Sequence, residues 1–336
     1  MSPMCHRAVP ALILVPLLAC GGKSSPTEPS GGGVSTAING QTVSAIDGVA
    51  TPSLNVQVGT RSATSDGSGF FQIDPGSQGT FRALVRGANV VDRDTRVTVP
   101  HADLTRVTMI PTSFDLDAFN EMFRFSNSRL QRWTTRPALV VLGTVMEYRN
   151  GNNGNYEANG EQLTDDEVNL MVAHLNEGLA LLTGNTYTSF SAVDIERPSA
   201  GQRVNVLRAG KIVIGRYNGV TTFANTIGWG QWSEQADGTI TGGATYLDRD
   251  FDKNDSRRRL LRIHELGHAL GYQHVTSRTS IMNPAIGPEP TTFDRNGAMI
   301  AFQRPVGNHT PDIDPASSSL SVTTGEGKWS APTVCR

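Results

Sequence analysis

The chain has 336 residues and a formal net charge of −2, with 29 Lys and Arg against 31 Asp and Glu. This balance excludes a global electrostatic attraction to nucleic acid, so we expect no nucleic-acid partner. The length allows two domains with tails, and 35 Gly with only 7% aromatic residues is typical of a loop-rich, partly β protein. Because Cys5, Cys20 and Cys335 are widely separated, we expect no internal disulfide framework and no thiolate metal site. Any metal is therefore expected on His and carboxylate ligands.

Residues 1–19 have the pattern of an export signal. Arg7 precedes the apolar run from Ala8 to Leu18, which is too short to cross a bilayer as a mature helix. The ending Leu17-Leu18-Ala19-Cys20 resembles the lipobox of bacterial lipoproteins, which implies a lipidated Cys20 that anchors an exported protein at the outer membrane or cell surface. Residues 20–33 are rich in Gly, Ser and Pro and are predicted to form a flexible tether. A plain secretory peptide is the alternative.

Residues 34–111 are predicted to form a small antiparallel β-sandwich. Short alternating runs such as Leu54 to Val58 are separated by turn signals such as Asp47-Gly48 and Asp66-Gly67, and no helical period occurs. Through the segments 47–50 and 64–71 this stretch resembles the carboxypeptidase-regulatory-like modules of bacterial surface proteins.

Residues 112–305 are predicted to form an α+β domain, and residues 306–336 a loose tail. The apolar run 138–142 is typical of a strand buried on both faces. The capping box from Thr164 to Glu167 begins an amphipathic helix that Gly184 ends. Further strands are expected at 203–207, 211–216 and 243–248.

The sequence from His264 to His274 has the spacing of a metal-dependent hydrolase. His264 and His268 lie four residues apart, so on a helix their imidazoles share one face and can bind one Zn²⁺. Glu265 points about 100° away and can reach a water at the metal. His274 can join them only if the helix breaks, and Gly271 is placed for that break. Three histidines would leave an open fourth position, which is typical of a catalytic zinc.

This run resembles the extended zinc motif of the metzincins, and Met282 in Ser280-Ile281-Met282-Asn283-Pro284 resembles their Met-turn, closest to the matrixins. The resemblance implies a mixed twisted sheet, one catalytic zinc on His264, His268 and His274, and a C-terminal helix at 293–302. It also implies Glu265 as general base and Met282 as a hydrophobic base beneath the metal. No tyrosine follows Met282, so no astacin-type fifth ligand is expected.

By the same resemblance the protein would be an endopeptidase that binds an extended protein or peptide substrate along an edge strand. We expect that strand at Gly242 to Tyr246, with Gly243, Ala244, Thr245 and Tyr246 at the substrate. Pro284 would begin the lining of the specificity pocket. Because no cysteine lies between Cys20 and Cys335, no matrixin-type cysteine switch is expected.

Three alternatives remain open from the residues. The acidic cluster Asp248, Asp250, Asp252, Asn254 and Asp255 suits a calcium loop, but a solvated turn neutralised by neighbouring arginines is favoured. The chain could be a non-catalytic surface lipoprotein that binds protein or glycan through its β-sandwich. It could also be a zinc hydrolase of non-peptide bonds. The oligomeric state is not determined by the sequence.

Overall fold

The computed structural model describes residues 35–101, 103–124, 129–149, 154–220, 226–316 and 327–335. The predicted export signal, lipidated Cys20 and tether lie outside the described residues. Within the described part, no helix is long and apolar enough to cross a membrane.

Two small sheets form the N-terminal part. One has the order β4-β1-β7 and the other β3-β2-β5-β6, and their apolar side chains share one core that includes Val56, Phe71 and Val85. The pairing of β1 with β7 is parallel, so the predicted purely antiparallel arrangement is wrong at this pair. The strands are β1 (Ile38–Ser44), β2 (Asn55–Val58), β3 (Arg61–Thr64), β4 (Phe70–Ile73), β5 (Gly79–Arg86), β6 (Arg93–Val99) and β7 (Thr105–Met109).

A ten-stranded mixed sheet forms the rest, with the order β12-β10-β9-β13-β15-β14-β16. Off this path, β11 pairs with β9, β17 with β14 and β8 with β15. The strands are β8 (Arg132–Trp133), β9 (Ala138–Glu147), β10 (Asn155–Gln162), β11 (Val193–Glu196), β12 (Arg203–Asn205), β13 (Lys211–Asn218), β14 (Gly228–Glu234), β15 (Thr239–Asp248), β16 (Lys328–Trp329) and β17 (Thr333–Cys335).

Strand β9 is buried on both faces, as its apolar run predicts. Leu139 and Val141 belong to one core and Val140 and Leu142 to another on the opposite face, because successive side chains of a strand alternate. The first core also receives the helices. They are α1 (Leu116–Phe123), α2 (Asp165–Leu182), α3 (Arg249–Asn254), α4 (Arg258–Ala269) and α5 (Thr292–Phe302).

The predicted helix boundaries agree with the structure where a cap is present in the sequence. The Thr164 side chain accepts from the Glu167 N–H and the Glu167 side chain from the Thr164 N–H, so α2 begins with the predicted capping box. Gly184, which follows α2, has a φ of 56° and lies against the backbone of Met299 in α5. A side chain on Gly184 would separate these two helices.

The prediction that residues 242–246 form an edge strand is wrong. β15 contains Gly243 to Tyr246, and it lies between β13, to which it is parallel, and β14, to which it is antiparallel. β14, which sequence analysis missed, lies beyond β15, and its outer side pairs with the short strands β16 and β17. Its sequence Gly228-Trp229-Gly230-Gln231-Trp232 contains two glycines and no β-branched residue, so it gives a weak strand signal. The glycines allow the strand to pack closely against α4.

The prediction of a loose tail after residue 305 is also wrong for the described residues. Asp312 and Asp314 are buried and form ion pairs with Arg93 of β6, and Asp312 also pairs with Arg304. Strands β16 and β17 pair with β14. The polar composition that suggested disorder instead supplies buried ion pairs and an added strand.

Candidate metal centre

Helix α4 and the turn after it bring the three predicted histidines together. The Nε2 atoms of His264 and His268 are 3.1 Å apart, and that of His274 lies 3.3 Å from the first and 3.2 Å from the second. Tetrahedral Zn–N bonds of about 2.0–2.1 Å require ligand nitrogens about 3.3 Å apart. The spacing therefore fits one shared zinc ion.

Gly271 reverses the chain so that His274 can reach the site. It has a φ of 95°, in the left-handed region that favours glycine. The Gly271 N–H donates to the His268 carbonyl and the Tyr272 N–H to the Gly267 carbonyl, which is the Schellman pattern of a helix end. The break thus occurs where the sequence places it.

The histidine tautomers suit metal binding. Nδ1 of His264 lies 2.7 Å from the Ile281 carbonyl oxygen, and Nδ1 of His268 lies 2.7 Å from that of Tyr272. Because a carbonyl only accepts, each Nδ1 carries the proton and each Nε2 presents its lone pair to the centre. Burial lowers the pKa of His264 to about 3 and that of His274 to about 4, and also lowers the pKa of His268, so the rings are neutral at pH 7.

Met282 is fully buried beneath α4, at the predicted Met-turn. A Cβ on Gly267, between the two helical histidines, would overlap the Met282 sulfur, so the glycine lets the turn approach the helix. Asp294 of α5 fixes the turn, because it accepts from the Ser280 hydroxyl at 2.5 Å and the Ile281 N–H at 3.2 Å. Sequence analysis missed this role of Asp294.

Glu265 is buried beside the three histidines. No N–H or O–H group of the described residues donates to either of its carboxyl oxygens. Burial raises its pKa well above the usual value, and a contact with the Cys335 thiol offsets part of that rise. A buried carboxyl group without a donor is costly, and such groups are typical of functional sites.

Strand β14 passes close to α4 because two of its residues have no side chain. A Cβ on Gly228 would lie 3.0 Å from Cδ of Glu265, and one on Gly230 would lie 2.6 Å from Cβ of His268. The two glycines therefore place the backbone of β14 directly beside the general-base candidate and a metal-ligand candidate. Sequence analysis missed both.

Cys335 of β17 lies at the metal centre, whereas the sequence predicted it in a loose tail. Its Sγ lies 2.7 Å from Nε2 of His264 and 3.6 Å from Nε2 of both His268 and His274. Together these residues form one potential ligand group of the described chain, with ligand atoms within 4.8 Å of one another. A thiol thus joins the three histidines as a potential ligand, beside the position that the sequence leaves open for water. Sequence spacing cannot reveal a side chain that strand pairing brings from 61 residues away.

The predicted substrate-binding residues differ in their exposure to solvent. Gly243, Ala244, Thr245 and Tyr246 are buried in β15, where Tyr246 stacks on Trp229 with ring centroids 3.6 Å apart. Pro284 is exposed just after the Met-turn.

The acidic cluster before α4 contacts arginines and backbone N–H groups. Asp252 is fully buried and pairs with Arg216 and Arg262. Asp248 caps α3 by accepting from the Phe251 N–H. Asp250 pairs with Arg249 and Asp255 with Arg257. The acidic cluster is thus neutralised by arginines, as predicted, but the predicted solvated turn is wrong, because the segment forms the helix α3 and Asp252 is buried. The expected cap of α4 by Asp255 or Asn254 is also wrong, since no side chain of the described residues caps this helix.

Residues 194–297 match the model of the Peptidase_M10 family, described as Matrixin. The match begins in β11 and ends in α5, so it includes α4, the break at Gly271 and the Met-turn. With the mixed α+β fold it supports a matrixin-like metallopeptidase domain, and this family implies a catalytic zinc. It does not favour the two alternative functions. No curated protein matches the chain.

Proposed function

We propose that this protein is a zinc-dependent endopeptidase in which His264, His268 and His274 hold the metal and Glu265 is the general base. One observation carries the proposal: three Nε2 lone pairs converge within 3.3 Å beside a buried carboxyl group that no N–H or O–H group contacts. That geometry suits a metal-assisted hydrolysis.

Zinc, when bound, supplies Lewis-acid chemistry that lowers the pKa of a water and polarises a carbonyl. Glu265 takes a proton from the attacking water on a carboxylate oxygen and passes it to the leaving amine. Its burial without an N–H or O–H donor raises the basicity of the carboxylate, which strengthens this role. Hydrogen bonds from Nδ1 to the Ile281 and Tyr272 carbonyls hold the His264 and His268 rings in place.

The substrate polypeptide binds as an extended strand along β14, rather than along β15. β14 lies next to α4 and becomes the edge when the short strands β16 and β17 leave its outer side, and its glycines at 228 and 230 bring its backbone close to Glu265 and His268. β15 supports this strand from within the sheet. Pro284 borders the site on the Met-turn side.

The protein is also proposed to be an exported lipoprotein anchored through Cys20. The lipobox-like segment and the tether support this anchor. The N-terminal sheets are proposed to be a carboxypeptidase-regulatory-like module that separates the peptidase from the membrane or recruits its substrate.

The test uses the full chain with Cys335→Ser, since the native thiol lies at the ligand atoms. We expect about one zinc per chain and casein hydrolysis that a chelator abolishes. Adding Glu265→Gln keeps the zinc and lowers kcat by at least about 100-fold, because the base is lost. Glu289→Gln, at an exposed site, is the control. Absence of zinc, or equal hydrolysis with Glu265→Gln, would refute the proposal.

A further inference from the structure

We propose that segment 327–335 is a built-in inhibitor of this site, with Cys335 as the fourth metal ligand. The inference rests on the proposed function, since it assigns the regulation of the same centre. It concerns two features of the segment, which are the position of the thiol and the pairing of its strands.

The thiol occupies the position of a fourth ligand. With Zn–S bonds of about 2.3 Å and Zn–N bonds of about 2.0–2.1 Å, tetrahedral geometry places sulfur about 3.6 Å from each nitrogen. The Sγ distances to Nε2 of His268 and His274 are both 3.6 Å and match this geometry, whereas the distance to Nε2 of His264 is shorter, at 2.7 Å. A catalytic zinc keeps this position for water. A thiolate bound there would exclude it.

Strand register aims the thiol at the metal centre. In the antiparallel pair of β17 and β14, Cys335 lies opposite Gly228 and Thr333 opposite Gly230. Both glycines face α4, so their cross-strand partners also face it. A register shift of one residue would present Val334 to the histidines instead. Because Gly228 has no side chain, the thiol can lie next to Glu265.

The same segment covers the edge to which the substrate would bind. β16 pairs antiparallel with Ser233 and Glu234, and β17 with residues 228–230. Between them the Ser330 N–H donates to the Trp232 carbonyl at 2.7 Å, and the Ser330 hydroxyl accepts from the Trp232 N–H at 3.1 Å. The segment therefore uses the backbone groups that an added substrate strand requires.

The segment is attached in a way that permits release. Within residues 327–335, Cys335 is the one buried residue, while Ala331 and Pro332 are exposed. Beside it lies an open cleft of about 500 Å³ that is lined by Trp232, Gln273 and residues 328–333. Displacement of the segment would uncover the site and would remove only the partly buried Trp329 and Val334, besides Cys335, from the neighbouring core.

The test replaces the metal with Co²⁺ in the full chain carrying Cys5→Ser and Cys20→Ser, so that Cys335 is the only thiol. We expect a sulfur-to-cobalt charge-transfer band that Cys335→Ser abolishes and Ala331→Ser, at an exposed position of the segment, retains. Alkylation of Cys335 should be slow until a chelator removes the metal. Cobalt binding without this band would overturn the ligand assignment.

Peptide hydrolysis by the zinc-loaded proteins tests inhibition. We expect Cys335→Ser to raise kcat/KM for casein by at least about tenfold, because an intramolecular ligand competes at high effective concentration. Ser330→Pro, which removes both hydrogen bonds to Trp232, should also raise it. Equal rates in all proteins would overturn the inhibitory role.

Two further outcomes separate this inference from the proposed function. Loss of metal in Cys335→Ser without hydrolysis would identify a closed structural site and overturn the inhibitor. A charge-transfer band in the parent protein, together with metal-loaded but inactive Cys335→Ser and Ser330→Pro, would uphold Cys335 as a ligand. That result would refute both the peptidase and its inhibition.

Discussion

Single residues without side chains determine how closely strand β14 approaches the metal centre. Gly230 lies where a Cβ would be 2.6 Å from Cβ of His268 and 3.0 Å from the Glu265 carbonyl oxygen. Both neighbours belong to α4, whose position is fixed by the core on its other side. Neither can move without shifting a metal-ligand candidate, so the site depends on glycine here.

Gly230→Ala is expected to weaken zinc binding by about 10–100-fold, because the added methyl group displaces His268 from the position that its hydrogen bond to Tyr272 supports. The measurement is competition for zinc with a chromophoric chelator. Gly67→Ala is the control, since no atom lies within 4 Å of its added Cβ. Equal zinc affinity in Gly230→Ala and the parent protein would contradict this role.

At the scale of elements, α5 fixes the Met-turn through one carboxylate. Asp294 accepts from the Ser280 hydroxyl, the Ile281 N–H and the Thr291 N–H, the last at 2.6 Å. The Ile281 carbonyl oxygen in turn accepts a hydrogen bond from Nδ1 of His264. The N-terminus of α5 is therefore connected to a metal-ligand candidate through two successive hydrogen bonds.

Asp294→Ala is expected to lower the free energy of unfolding by about 3 kcal/mol, because it leaves several buried donors without an acceptor. Zinc affinity should fall as well, since the Ile281 carbonyl would no longer be fixed. Urea unfolding and zinc competition measure the two effects. Asp117→Ala, an exposed acidic residue in the first turn of α1, should change neither. A stable Asp294→Ala with full zinc affinity would exclude the coupling.

At the scale of the whole molecule, a buried ion-pair network joins the N-terminal sheets to the residues after α5. Arg93 of β6 donates to Asp312 at 3.0 Å and to Asp314 at 2.9 Å, and Arg304 donates to Asp312 and to the Thr108 hydroxyl at 2.7 Å. The described residues from Thr36 onward form one compact unit. We infer that the two parts unfold together.

Asp312→Asn is expected to lower stability at pH 7 by about 3 kcal/mol, because it leaves buried arginines without their counter-charge. Burial alone would raise the pKa of Asp312, but Arg304 and Arg93 outweigh it and hold the pKa below the usual value. The carboxylate therefore stabilises the protein above the unfolded pKa of about 3.9, and this contribution is lost as the pH falls through the folded pKa.

Urea unfolding from pH 7 to about 3 measures this difference. The parent protein should lose stability on acidification, and Asp312→Asn should lose less of it. Asp92→Asn is the control, because its ion pair with Arg86 is exposed. Parallel stability curves for the parent protein and Asp312→Asn would refute the role of this ion pair.

The sequence by itself determined the features that depend on local spacing. The four-residue interval of His264 and His268, the break at Gly271 and the capping box of α2 each follow from one turn of helix or one cap. Only the tertiary structure decided that β14 lies beyond β15, where Asp312 is neutralised and where Cys335 lies. These features depend on pairings between residues distant in sequence. The sequences of β14 and of segment 327–335 do not indicate that the two pair with each other, because their register and contact arise only when the sheet assembles.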